Sequence, residues 1–352
     1  MITGQREVCA RAAEFSSSLS RGPRRCYDLR SGPRQRLAGS KRGCRRMTIH
    51  DRPPWLHLSR DVVDALHYSD AVVALETAVV THGLPAPQNI DAMLAMQRAL
   101  REGGTVPAVC LIHRGVLHVG APMELVEEAA ADQSRKKASV RDLAAALTSR
   151  APAGLTVSAT LHAAYLAGIR VFATGGIGGA HVGSDVSGDV SADLGQLAKS
   201  PVITVCAGAK SVLDIPRTLE HLESLGVPVF SYGTNTFPAF YLRSSGCRVP
   251  RLDSPSQVAA VARAQWDLKL CGGLLLANGL PDHVAIPEKQ WTEWLERAKR
   301  EARDARVTGQ DVTPFLLAHV AEYSNGRTVD VNVALLVRNA ELAARVARAL
   351  RP

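Results

Sequence analysis

The segment Val202–Asp214, VITVCAGAKSVLD, constrains the fold most, because it sets a single lysine, Lys210, at the end of a near-continuous apolar run. A run that is apolar on both faces is what a strand buried inside a parallel sheet requires, and the following SVLDIPRTLEHLESLG reads as a helix. Lys210 then sits at a strand-to-helix turn of an α/β fold, where open sheets gather ligands at the carboxyl ends of their strands. Apolar surroundings there favour the neutral amine over the ammonium, and a neutral amine is a nucleophile toward a sugar carbon. Two plainer readings compete: the ammonium snorkels past the sheet edge, or it pairs with Asp214.

A second such unit lies upstream in VFATGGIGGAHVGSDVSGDVSADL, Val171–Leu194. Val171–Ala173 predicts a buried strand, and Thr174 opens a loop with Gly175, Gly176, Gly178 and Gly179. Glycines let backbone N–H groups approach an anion closely, so the loop predicts a phosphate cradle. The dinucleotide fingerprint fits poorly: its third glycine falls on His181, and no acidic residue ends the following strand. Asp185, Asp189 and Asp193 follow, with Ser191 opening a helix and Gly188 favouring a loop up to Val190. One loop carboxylate beside a phosphate suits a divalent ion that keeps most of its waters; capping and solubility are the structural alternative.

The third anomaly is Glu76 in VVALETAVVTHGLPAPQN. A carboxylate flanked by apolar residues on both sides is costly to bury unless it is paired or protonated, and a raised pKa suits general-acid work. The tail HGLPAPQN reads as an extended loop, with Asn89 as the cap of the next helix.

ALETAVVTHGLPAPQN, KKASVRDL, ATGGIGGAH, DVSADL, VCAGAKSVLDI, FPAFY and DVTPFLL occur in this order, and together they resemble the pseudouridine-5′-phosphate glycosidases, the indigoidine synthase A-like family. The resemblance runs from about Val72 to Ala349. It implies a three-layer α/β/α single domain with a largely parallel or mixed sheet, a homotrimer, and one Mn²⁺ per subunit. The implied reaction is cleavage of the C1′–C5 bond of pseudouridine 5′-phosphate to uracil and ribose 5-phosphate. It also implies Lys210 as the nucleophile, Glu76 as the proton donor and Asp189 as the metal site. Ser191, Ala192, Asp193, Lys137 and Val157 fall on substrate positions, and Thr174, His181 and Asn332 match polar positions around phosphate and base. Val182 stands where the family commonly has arginine, and Gly188 where it has a larger residue, so the loop between His181 and Gly188 is expected to be looser.

The residue types agree with this assignment. Ordinary glycosidases work with two carboxylates because protonating a leaving oxygen or nitrogen suffices, and a C-glycoside offers no such atom. An electron sink is needed, and an amine bonded to C1′ becomes one on turning into an iminium. Another sugar-phosphate Schiff-base lyase, or a phosphosugar-binding protein without catalysis, would use the same residues in part.

The net charge of +9 resembles a nucleic-acid signal until it is located. Residues 1–50 hold twelve basic and three acidic residues, and the remainder holds 30 of each, so the body is formally neutral. Residues 1–46, rich in Arg, Ser and Gly, are expected to be a disordered leader or an over-extended start before Met47, with 47–352 as the catalytic domain. A mitochondrial transit peptide is the alternative to a cytoplasmic protein. No apolar run approaches 18 residues, so no membrane partner is expected. Seven cysteines without metal spacing fit a reduced compartment.

The remaining pattern predicts helices at 59–67, 92–101, 257–268, 288–306, 314–321 and 333–350. It also predicts a hairpin of Val106–Ile112 with Val116–Val119, and strands at 228–232 and 273–277.

Overall fold

The computed structural model describes residues 53–307 and 312–351. Short strands alternate with helices along the chain. The strands are β1 (Leu56–Leu58), β2 (Val72–Leu75), β3 (Val106–His113), β4 (Val116–Val119), β5 (Lys136–Ala138), β6 (Ala153–Leu155), β7 (Val171–Ala173), β8 (Ile203–Cys206), β9 (Val229–Tyr232), β10 (Arg251–Leu252) and β11 (Leu274–Ala277). The helices are α1 (Arg60–His67), α2 (Gln88–Glu102), α3 (Met123–Ala131), α4 (Leu143–Ser149), α5 (Val157–Ala167), α6 (Ser184–Ser187), α7 (Ala192–Leu197), α8 (Ile215–Ser224), α9 (Pro255–Asp267), α10 (Glu288–Asp304), α11 (Val312–Tyr323) and α12 (Arg327–Ala349).

The strands join one sheet in the order β1-β4-β3-β2-β7-β8-β11-β9-β10, with β6 beside β3 and β5 beside β6. All pairs are parallel except β3 with β4 and β3 with β6, so the expected largely parallel, mixed α/β sheet is present. Strands β2, β7, β8 and β11 are buried along their whole length, as continuous apolar runs covered on both faces must be. Helix α12 packs on α2, α9 and the centre of the sheet, while α5 packs on α7 and on strands β2, β3, β4 and β7. The core runs unbroken through these layers, from Leu56 to Ala347.

Local chemistry sets the helix starts. Ser59 caps α1, and Ser254 caps α9 in a reciprocal box with Gln257. The helix after Lys210 begins only at Ile215, later than the pattern predicts, because the Asp214 carboxylate accepts from Arg217 N and Pro216 occupies the first turn. Asn89 does not cap α2: that helix starts at Gln88, and the Asn89 amide donates to Val80 O at 2.9 Å. The loop expected up to Val190 contains one short turn of helix, α6, bracketed by Gly183 and Gly188 in left-handed conformation. The expected leader, residues 1–46, lies outside the described residues.

Candidate active site

Three adjacent parallel strands end in the three residues that matter most. Glu76 follows β2, Thr174 follows β7, and Lys210 lies four residues beyond β8. Glu76 is buried, and its neighbour Thr77 roots it: the Thr77 hydroxyl donates to Cys110 O at 2.7 Å and accepts from Leu155 N at 3.1 Å. Thr174, fully buried, donates its hydroxyl proton to Glu76 Oε1.

The backbone carrying Lys210 is laced to the glycine loop. Ala207 N donates to Gly175 O (2.8 Å), Ile177 N to Gly208 O (3.0 Å) and Lys210 N to Ile177 O (3.1 Å), extending the β7–β8 pairing past both strands. Gly208 has φ +84°, and a Cβ there would lie 2.1 Å from Pro238 O, so only glycine fits. The FPAFY segment closes over this turn: Phe240 N donates to Ala207 O, and the Ser211 hydroxyl accepts from Tyr241 N at 3.1 Å. Phe240 has φ +57°, uncommon for a bulky residue, and its ring packs where a Cβ on Gly176 would stand, 2.5 Å from Phe240 Cδ2.

Asp193 serves a different purpose from metal binding. Its buried carboxylate accepts from Ser158 N (2.8 Å) through Oδ1 and from Gly178 N (2.9 Å) through Oδ2, tying the start of α5 to the glycine loop. Hydrogen bonds to an ionised group contribute about 1.5–3 kcal/mol each, enough to hold that junction. Ser191 caps α7 by accepting from Asp193 N, and its backbone N–H donates to Gly179 O. Val157, the first residue of α5, is buried next to Ser158, whereas Ala192 opens α7 and is exposed.

The electrostatics single out Glu76. Burial pushes its pKa up; the Thr174 hydrogen bond and the positive charge of Lys210 pull it back, Asp193 pushes it further up, and Lys137 lowers it slightly. Desolvation lowers the pKa of Lys137, and the charge on Lys210 lowers it further, although Lys137 still presents much of its surface to solvent from β5. These mutual fields place Glu76, Lys210, Lys137 and Asp193 in one cluster. Among the described residues Lys210 makes no ion pair or side-chain hydrogen bond, and Asp214 instead pairs with Arg217. The lysine is therefore not held by Asp214.

His181 and Asp189 face each other. His181 N donates to Asp189 O, and the imidazole Nδ1 lies 3.9 Å from Asp189 Oδ2. The Asp189 side chain is half exposed, and its carboxylate oxygens accept no hydrogen bond among the described residues. Nor do these hold any group of three or more His, Cys, Asp and Glu side chains arranged for a metal. The donor set therefore suits an ion with one protein carboxylate and a shell of water, and does not suit one caged by protein.

Three residues escape a reading of the sequence alone. Asn339 is fully buried on α12 and donates Nδ2 to Thr174 O at 2.8 Å; Asn278, at the end of β11, donates to Asn339 Oδ1 at 3.1 Å. His82 lies in the single π-helical turn Val79–Gly83, with its pKa lowered by burial and by nearby Lys137 and Arg135. A buried amide on an apolar helix face was the available signal for Asn339. Asn332, two turns before it on α12, is buried with Oδ1 unpartnered, an acceptor free for a ligand.

A buried carboxyl whose pKa is raised by desolvation, and an amine two strands away without an ion pair among the described residues, give this α/β fold a site suited to acid-assisted chemistry with an amine nucleophile. The model of the indigoidine synthase A like protein family matches residues 61–349, and the chain belongs to that family. It is 45% identical to the pseudouridine-5′-phosphate glycosidase of Paracoccus denitrificans over 301 residues, covering 85% of this chain and 99% of the relative. The enzyme of the same name from Methylobacterium nodulans is 44% identical over 299 residues, 85% of this chain and 89% of the relative. Among solved structures, a prealnumycin C-glycosynthase in complex with ribulose 5-phosphate superposes with TM-score 0.80 at 32% identity, covering 85% of this chain and 98% of that one.

Proposed function

We propose that this chain is a C-glycosidase that cleaves pseudouridine 5′-phosphate to uracil and ribose 5-phosphate through an imine on Lys210. The observation that supports the reading is the placement of buried Glu76, its pKa raised by desolvation, after β2 and of Lys210, without an ion pair among the described residues, beyond β8, with only β7 and its Thr174 between them. The relatives' common name supports the substrate.

The chemistry follows from these residues. Neutral Glu76 protonates the ring oxygen as the ribose opens, and the Lys210 amine adds to C1′. The nitrogen lone pair then forms C1′=N as the C1′–C5 bond breaks; its electron pair leaves on C5, which takes a proton. Water adds to C1′, restores the amine and releases the aldehyde. Lys137 and the glycine loop hold the phosphate, far from the broken bond, so its binding energy serves orientation. Asp193 keeps that loop against α5. Asp189 would hold a divalent ion, Mn²⁺ in this reading, and such an ion supplies charge and ordered waters. Subunit assembly as a homotrimer belongs to the same proposal and is read by sedimentation.

The test is uracil release with Mn²⁺ present, together with borohydride trapping after incubation with ribose 5-phosphate. One ribose phosphate unit should add to the protein mass, on Lys210, and Lys210→Ala should neither trap nor release uracil. An adduct on Lys137, or uracil released by Lys210→Ala, would sink the assignment.

A further inference from the structure

Glu76 has two oxygens, and only one can deliver its proton to a substrate. The Thr174 hydroxyl has a single proton and donates it to Oε1, which leaves the transferable proton of the neutral acid on Oε2. What orients Thr174 is a buried amide relay from the far end of the chain. Asn339 Nδ2 straddles the carbonyls of Thr174 (2.8 Å) and Gly175 (3.3 Å), and its Oδ1 accepts from Asn278 Nδ2 at 3.1 Å. Asn278 is anchored in turn: its backbone N–H donates to Cys206 O at 2.7 Å, one strand over, and its amide also reaches Arg338 O at 3.3 Å. Leu335 and Leu336 press α12 onto the same peptide, since a Cβ on Gly175 would meet them at 3.2 and 3.3 Å.

We infer that Asn339, backed by Asn278, is a positioning residue for the acid: it locks the Thr174–Gly175 peptide so that the Thr174 hydroxyl holds Glu76 Oε1 and leaves Oε2 to the substrate. The inference rests on the reading of Glu76 as the acid. The charged groups that act on Glu76 are Lys210, Asp193 and Lys137, and the two asparagines are neutral, so replacing Asn339 alters no charge near the acid. A change in the acid's titration that Thr174→Val reproduces passes through Thr174, whereas one it does not reproduce would run through the loop's bonds to Lys210 and Asp193. Thr174 stabilises the ionised carboxylate, so loosening it raises the proton affinity of Glu76 further.

The acid works protonated, so turnover falls as pH rises through its pKa, and that fall should move to higher pH in Asn339→Leu. A shift of about one pH unit corresponds to losing part of a hydrogen bond to a charged group. We expect kcat to drop about tenfold with KM within twofold, as removing an interaction of the acid step requires. Thr174→Val should show the same shift, and the double variant should be no worse than the worse single. Asn278→Ala should shift the limb in the same direction by less, and it carries the same measurements where Asn339→Leu does not fold. The Glu76 carboxyl band, isolated as the infrared difference between each protein and its Glu76→Gln counterpart, is titrated in parallel without substrate. Should wild type release no uracil, the proposed reaction fails while the infrared titration still decides the relay. Variants that lose only thermal stability, with the limb and the carboxyl titration both at their wild-type pH, would reduce Asn339 to a packing residue.

Discussion

The loop after β7 falls into two halves that are built differently. Thr174–Ala180 is bonded at nearly every step, to Val205, Ala207, Gly208, Lys210, Asp193 and Thr218, and it is buried for most of its length. His181–Asp189 is closed mainly on itself, turns at Gly183 and Gly188 with positive φ, and exposes Val182 at 67% and Val186 at 91%. The contrast follows the demands of the chemistry. In the proposed reaction, proton donation and amine attack need their groups held within a few tenths of an ångström, which the dense bonding of the first half suits. The proposed ion, keeping most of its waters, would need few protein oxygens, and the second half offers the exposed carboxylates of Asp185 and Asp189.

The sharpest way to break the contrast is Glu76→Gln. The amide keeps the shape without the proton, so turnover should fall about 10²–10⁴-fold while substrate binding holds. Because the folded-state pKa of Glu76 is raised, native protein binds more protons than unfolded chain between the two pKa values, and stability declines as pH rises through that window. Denaturant titrations should therefore find Glu76→Gln at least as stable as wild type, with an advantage that grows toward alkaline pH. A melted protein would mark Glu76 as a structural ion-pair member instead.

Asp189→Ala tests the free half. Chelation should abolish turnover, Mn²⁺ should restore it better than Ca²⁺ because so few protein oxygens are on offer, and the variant should not be restored. Its stability should stay within about 0.5 kcal/mol of wild type, as for other exposed positions. Full turnover by exhaustively chelated Asp189→Ala would take the ion out of the reaction. Gly208→Ala tests the pinned half: the Cβ meets Pro238 O in a left-handed turn, and a loss on the order of 3 kcal/mol is expected in thermal unfolding. An unchanged melting curve would show the lacing to be slack. The smallest effect is expected from deleting residues 1–46, since the family match begins at residue 61; specific activity should be retained, and an insoluble product would place that segment in the domain.

The central strands and the residues at their ends are legible in the sequence because a continuous apolar run buries a strand on both faces, and a polar or charged residue at its carboxyl end falls where open sheets gather ligands. Lys210, Glu76 and Thr174 stand out in that way. The clustering of Lys137 with them is not readable from residue spacing, since β5 and β6 are three residues each, too short for any period. Helix α5, VSATLHAAYLA, is buried on most sides and shows no polar face to betray its period. Asn339 and Asn278 stay hidden because a side-chain amide acquires meaning only from the carbonyl it meets, here 165 residues away in the chain.

That separation has a consequence for how the enzyme comes into being on the ribosome. Glu76 meets Thr174 across 98 residues, and Thr174 meets Asn339 across 165, with α12 the last element synthesised. Contacts of such long span form late, after the intervening chain has closed. A polypeptide that stops short of α12 lacks Asn339, and with it the hydrogen bond to Thr174 O that the proposed relay needs.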